Sequence, residues 1–218
     1  MSKLISLLNK NPMTLIVAIP QAKVEMAKAA EEAGADAVII RLNTAKDKSD
    51  LIKIVGSVKI PVGATLEGES AVSETQMTGL YKLGFDFFDM SLAGIPSWAL
   101  KLEGLGKIVA LDQDYSAYDL TGLSQRSIDA IDAAVIPKEA LGKDLLVGDL
   151  QHYITICLST GLPVIVPTQK MIRVSEVPII WDTGAKGIIL TDIVAGNTLQ
   201  SLKAVTKEFK EAIEALNE

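Results

Sequence analysis

Six times along the chain a helix-forming or apolar stretch runs into a glycine and then into a short β-branched or aromatic segment. The six are Glu32-Ala33-Gly34 before Ala37–Arg41, Ile54-Val55-Gly56 before Ile60–Val62, Lys82-Leu83-Gly84 before Phe85–Asp89, Leu105-Gly106 before Ile108–Leu111, Gly161 before Val164–Val166 and Gly184 before Ile188–Leu190. A glycine there suits a left-handed residue just past a helix end, where a Cβ is disfavoured, so each marks a helix-to-strand junction. From Gly34 through Gly56, Gly84 and Gly106 the spacings are 22, 28 and 22 residues, and Gly161 to Gly184 is 23. The 55 residues between Gly106 and Gly161 make two units, so a junction without glycine is expected near Ile131-Asp132, ahead of a sixth strand at Ala133–Pro137.

Adding the apolar run Leu15–Ile19 at the front makes eight strands, each followed by a helix or a short helical stand-in, the last helix covering about Leu199–Leu216. Segments such as Val164-Ile165-Val166 and Ile188-Ile189-Leu190 are apolar at every position, the mark of parallel strands covered by helices. Open doubly wound sheets usually stop at five or six strands, whereas eight βα units with right-handed crossovers close into a ring. The expected fold is therefore α/β, a compact (β/α)8 TIM barrel, with residues 1–218 as one domain.

Composition narrows the partners. Lys+Arg is 21 against Asp+Glu at 27, a net charge of -6, and no basic run is interleaved with aromatics, which disfavours nucleic acid. The run Leu15–Ile19, closed by Pro20, is far short of a membrane helix, so no membrane partner is expected. A single cysteine, Cys157, excludes an internal disulfide and a cysteine zinc cluster, and points by default to a reducing, cytoplasmic compartment. The lone His152 lies off the apolar stripe of a helix expected at Leu145–Ser159 and reads as a surface residue, and Cys157 as a core thiol.

In such a barrel the functional groups stand at the C-terminal strand ends. Those ends offer Gln21, Arg41, Asn43, Thr65, Glu67, Asp89, Ser91, Asp112, Lys138, Thr168, Gln169, Lys170, Thr191 and Asp192. Alternation puts Ile39 with Arg41, Phe87 with Asp89, and Ile136 with Lys138 on common faces, so the charged member of each pair is expected in the barrel mouth. Lys138, read as lying on the sixth strand, is a candidate general base or Schiff-base lysine, with ion pairing to Glu67 or Asp112 as the plainer alternative. Glu67, Asp89 and Asp112 end three successive strands, a layout able to hold Mg²⁺, although no local signature supports a metal and none is assigned. Lys170 and Arg173, with Thr168 and Gln169, could hold an anion after the seventh strand, while Asp192 would repel one after the eighth. The stretch Gln113–Leu123, with Tyr115 and Tyr118, is long enough to cover the mouth.

The segments Leu15-Ile16-Val17 to Gln21-Ala22, Met26-Ala27-Lys28-Ala29-Ala30, Ile40-Arg41-Leu42-Asn43 and Ile60-Pro61-Val62 resemble the first three strands of the N-acylmannosamine-6-phosphate 2-epimerase family. That family sits within the phosphate-binding, ribulose-phosphate-binding-like TIM barrels. The resemblance covers about residues 15–65 and, more loosely, 162–210. It implies ligand contacts at Gln21, Arg41 and Asn43. It does not extend to the family's catalytic groups: Glu67 stands where the third strand would end in lysine, and Thr168-Gln169-Lys170 where the seventh would end in glutamate.

The function expected is that of a metabolic enzyme acting on a small anionic sugar or carbonyl compound, phosphorylated or not, by isomerase, epimerase or lyase chemistry. Glu67, Lys138 and Asp112 are the expected catalytic residues. Gln21, Arg41, Asn43, Asp89, Thr168, Gln169, Lys170, Arg173 and Thr191 are the expected ligand contacts. The alternatives are a non-catalytic ligand-binding barrel and a Schiff-base aldolase built on Lys138. A flavin barrel is disfavoured by the missing phosphate-gripping glycines, and self-association is left open.

Overall fold

Strands form where β-branched and aromatic residues cluster between the junctions, and in this computed structural model, which describes residues 2–44, 47–66, 72–123 and 127–217, eight of them are seen. They are β1 (Thr14–Ile19), β2 (Ala37–Arg41), β3 (Val62–Leu66), β4 (Phe87–Ser91), β5 (Gly106–Ala110), β6 (Ala130–Asp132), β7 (Val164–Pro167) and β8 (Gly187–Leu190). Each pairs in parallel with the next, and β8 pairs back with β1 through Leu15 opposite Ile188, which closes the ring. The helices are α1 (Lys3–Lys10), α2 (Val24–Glu32), α3 (Lys48–Ser57), α4 (Glu74–Lys82), α5 (Ala117–Leu120), α6 (Val147–Ser159), α7 (Val177–Asp182), α8 (Asp192–Ala195) and α9 (Leu199–Glu214). The chain is the expected (β/α)8 TIM barrel. Among the described residues no helix is long and apolar enough to cross a membrane.

The period-two alternation of the strands divides the core into two layers. Ile16, Ile39, Phe87, Ile108, Ala130, Ile165 and Ile189 fill the barrel interior. Their neighbours Val17, Ile40, Phe88, Val109, Val166 and Ile188 face outward into the layer shared with the helices. Phe87 takes the room left by a glycine: a Cβ on Gly63 would lie 2.1 Å from its ring.

Of the glycine junctions, Gly34, Gly84 and Gly184 have the expected left-handed backbone, with φ of 96°, 89° and 94°. Gly56 lies inside α3, Gly106 opens β5, and neither they nor Gly161 has positive φ. Gly106 is small for another reason. The helix α1 closes the lower end of the barrel, inserting Leu4, Ile5 and Leu8 beneath Phe87 and Ile16. A Cβ on Gly106 would stand 2.8 Å from Ser2 Oγ, and one on Gly187 would stand 3.0 Å from Leu8. The carboxylate of Asp86, just before β4, accepts hydrogen bonds from Ser2 Oγ at 2.6 Å, Lys3 N at 2.8 Å and Leu4 N at 2.9 Å, and so caps the helix onto the barrel. Thr198 caps α9 as expected, accepting from Ser201 N at 3.1 Å.

Two strands lie elsewhere than the apolar pattern suggests. The third begins after Pro61, which has no N–H to donate, and extends over Val62–Leu66 rather than Ile60–Val62. The sixth is Ala130–Asp132 rather than Ala133–Pro137. Val135 and Ile136 are buried, but in the outer layer, and Ile136 N donates to the side chain of Gln169 at 3.1 Å. An apolar run can be buried without joining a sheet. Smaller shifts move β4 to Phe87–Ser91 and β5 to Gly106–Ala110.

Candidate functional site

The upper end of the ring opens into a cavity of about 810 Å³. Its wall is the inward-facing set continued one step up each strand. Arg41 stands above Ile39 on β2, Thr65 above Gly63 on β3, Asp89 and Ser91 above Phe87 on β4, Asp132 above Ala130 on β6, and Thr191 above Ile189 at the end of β8. The expected pairings of Ile39 with Arg41 and Phe87 with Asp89 therefore hold.

The deepest polar groups are two carboxyls. Asp89 is 4% exposed and Asp132 6%. Their strands flank β5, with Asp89 in register with Ile108 and Asp132 with Ala110. Burial pushes the Asp132 carboxyl well above the ordinary carboxylate range, and the neighbouring charge of Asp89 and a hydrogen bond between the two add to the rise. Two carboxyls in such contact cannot both ionise cheaply, which favours the form in which Asp132 keeps its proton. Asp132 lines the cavity, and its Oδ1 is buried with no hydrogen-bond partner. The sequence reading passed over Asp132 because it placed that residue at a junction. The available signal was an acid enclosed in the run Ala130-Ile131-Asp132-Ala133-Ala134-Val135-Ile136.

Lys138 is not on a strand. It begins a 3-10 turn, Lys138–Ala140, and is exposed at the cavity rim rather than drawn into the barrel, while the sixth-strand position is taken by Asp132. The pairing of Ile136 with Lys138 on one strand face is corrected accordingly. Asp112 is also exposed at the rim and accepts from Asp114 N at 3.0 Å. Glu67 lies outside the described residues. Among the described residues no three His, Cys, Asp or Glu side chains stand close enough together to hold a metal ion.

The loops after β7 and β8 are tied to each other and to α6. Thr168 Oγ1 accepts from Thr191 N at 2.8 Å, and Thr191 Oγ1 donates to Thr168 O at 2.8 Å. Gln169 lines the cavity while its amide bonds Ile136 N and, at 3.4 Å, Ala134 O. Lys170 is 2% exposed and pairs with Asp149 on α6 at 3.1 Å, and Arg173 pairs with Asp144 at 2.9 Å. Neither Lys170 nor Arg173 lines the cavity. Gln21 and Asn43 lie apart from it as well. Gln21 lines a separate cavity of about 480 Å³ beside α3, and Asn43, in the turn Leu42–Thr44, lines another of about 590 Å³. In the connection after β5, Tyr115 meets His152 on α6, with its hydroxyl 3.3 Å from Nδ1, and Tyr118 is 84% exposed.

No protein-family model matches the chain, and no curated protein matches it by sequence. Solved structures do match by fold. Thiamine phosphate pyrophosphorylase from Pyrococcus furiosus is 17% identical, with a TM-score of 0.70 over 95% of this chain and 98% of its own. A chain of tryptophan synthase from M. tuberculosis is 14% identical, with a TM-score of 0.74 over 98% and 99%. The N-acetylmannosamine-6-phosphate 2-epimerase from Clostridium perfringens is 15% identical, with a TM-score of 0.62 over 91% and 92%. The structural neighbours thus include phosphate-binding TIM barrels of the class that the sequence resembles, and at these identities the likeness is one of fold.

Proposed function

We propose that the chain is a metabolic enzyme that moves a proton on a small anionic sugar or carbonyl compound, in an isomerase, epimerase or lyase reaction. The observation that carries this reading is the Asp89–Asp132 pair at the floor of the cavity. A carboxyl held protonated by burial can give a proton at neutral pH, and its ionised neighbour can take one, so the pair combines a general acid with a general base. Keeping two acids dry is costly, and a perturbed carboxyl with a specific charged partner in a cleft marks a candidate functional site. Arg41 and Lys138 line the same cavity in a chain of net charge -6 and would supply the local attraction for an anion. The names of the fold neighbours, a sugar-phosphate 2-epimerase among them, agree with such a substrate class. The acid–base work expected of Glu67 and Lys138 passes in this reading to the aspartates, with Lys138 and Asp112 at the rim as charge-bearing partners.

Proton transfer at carbon can be read without knowing the product. The protein is incubated in D2O with a panel of small hydroxy acids, keto acids, aldoses, ketoses and their phosphates, and deuterium entering at carbon is followed by NMR. Asp132→Asn and Asp89→Asn should each lower exchange by about 10²–10⁴-fold. A panel that binds but shows neither exchange nor turnover would instead make this a binding barrel.

A further inference from the structure

In barrels of this kind a phosphate is normally received after the seventh and eighth strands, and here that corner is already occupied by the protein's own bonds. The Thr191 N–H and both threonine hydroxyls are used between Thr168 and Thr191. The two cations of the β7 connection are committed elsewhere, Lys170 to Asp149 and Arg173 to Asp144. Asp192 opens the short helix that follows β8, where a phosphate would meet a carboxylate. Gly196 N, which ends that turn, donates to Asp192 O at 2.9 Å.

The charge inside the cavity points the same way. Among the described lining residues the cations are Arg41 and Lys138. Asp89, Asp112 and Asp132 line the same wall, so a ligand meets carboxyl groups there as well as cations. A dianion is therefore the harder guest, whereas the single charge of a monoanion can be met by one guanidinium. In the closed order β1 to β8, β2 and β6 lie four strands apart, on opposite sides of the ring. Arg41 therefore faces the Asp132 side across the cavity, with Thr65 beside it in register on β3.

Building on the proton-transfer reading, we propose that the cavity takes a compact, unphosphorylated carboxylic acid with a hydroxyl or oxo group beside the carboxylate. The carboxylate lies on Arg41, whose planar fork matches two oxygens, and the neighbouring carbon reaches across to Asp89 and Asp132. The bonded corner at Thr168 and Thr191 then acts as a wall rather than a phosphate cradle.

The test measures binding separately from turnover, by calorimetry on the full chain with D-glycerate, glycolate and pyruvate as carboxylate probes and inorganic phosphate and glycerol 3-phosphate as phosphate probes. At least one carboxylate should bind more than tenfold tighter than either phosphate. Arg41→Gln should weaken it by tenfold or more and Arg41→Lys by less, with the melting temperatures of both variants showing that they fold. A phosphate probe that binds tighter than every carboxylate overturns the proposal, as does carboxylate binding indifferent to Arg41→Gln, or no carboxylate binding at all. If carboxylates bind through Arg41 while Asp89→Asn and Asp132→Asn leave exchange unchanged, the substrate assignment stands and the acid–base reading alone falls.

Discussion

At Asp132 the folded chain holds a proton more tightly than the unfolded chain does, because burial and Asp89 both disfavour the charged form. The linkage sign follows. The folded state binds more protons, so this group's contribution is fully present below the ordinary carboxylate range, near pH 4, and is lost as pH rises through the raised value. Asparagine at this position has no such dependence. Asp132→Asn should therefore melt close to the wild type at pH 4 and a few degrees above it at pH 8, and a melting series in which the wild type gains on the variant with rising pH would contradict the retained proton. The same residue marks how far the sequence could be read. Arg41 and Asp89 were found because alternation within well-placed strands assigns them inward. Asp132 was missed because the longer apolar run Ala133–Pro137 outweighed the three residues that join the sheet. Lys170 was assigned to the ligand from its place after the strand, which carries no information about the facing carboxylate of Asp149 on α6.

Among the elements, the connections around β6 and β7 are held by the buried Lys170–Asp149 pair, reinforced by Lys143 O accepting from Met171 N at 2.9 Å. Asp149 also accepts from Leu146 N at 2.8 Å, so the pair ties the start of α6 to the end of β7. Lys170→Ala should destabilise by about 3 kcal/mol, measured by urea denaturation, because it strands a largely buried carboxylate. Lys170→Met, which fills the volume, should leave the same charge unpaired and recover only part of the loss. At the other end of the barrel, Gly63→Ala sets a methyl against the Phe87 ring and should cost more than the removal of a surface contact, about 1–3 kcal/mol. Adding Phe87→Leu should restore part of it, and failure of that rescue would mean the ring is not what occupies the space. The repeat of helix, glycine and strand was legible because each unit buries the same kind of face. The lower plug α1 was not, since its amphipathic pattern precedes the first unit and nothing local to it specifies which end of a barrel it closes.

For the whole molecule, the single thiol offers a probe of opening. Cys157 is half-buried beside Gly184, and burial pushes its pKa up to about 11. Native protein at pH 7.5 should react with iodoacetamide far more slowly than free cysteine, and the rate should rise with urea in step with loss of helical circular dichroism. Fast labelling of the folded chain would mean that α6 detaches on its own. The sealed lower end has a consequence for whatever occupies the upper one. With Leu4, Ile5 and Leu8 stopping the shaft, nothing threads the ring from end to end, and what enters from above must leave on that side. Arrival and departure therefore share one face of the ring, where an occupant that lingers stands in the way of the next.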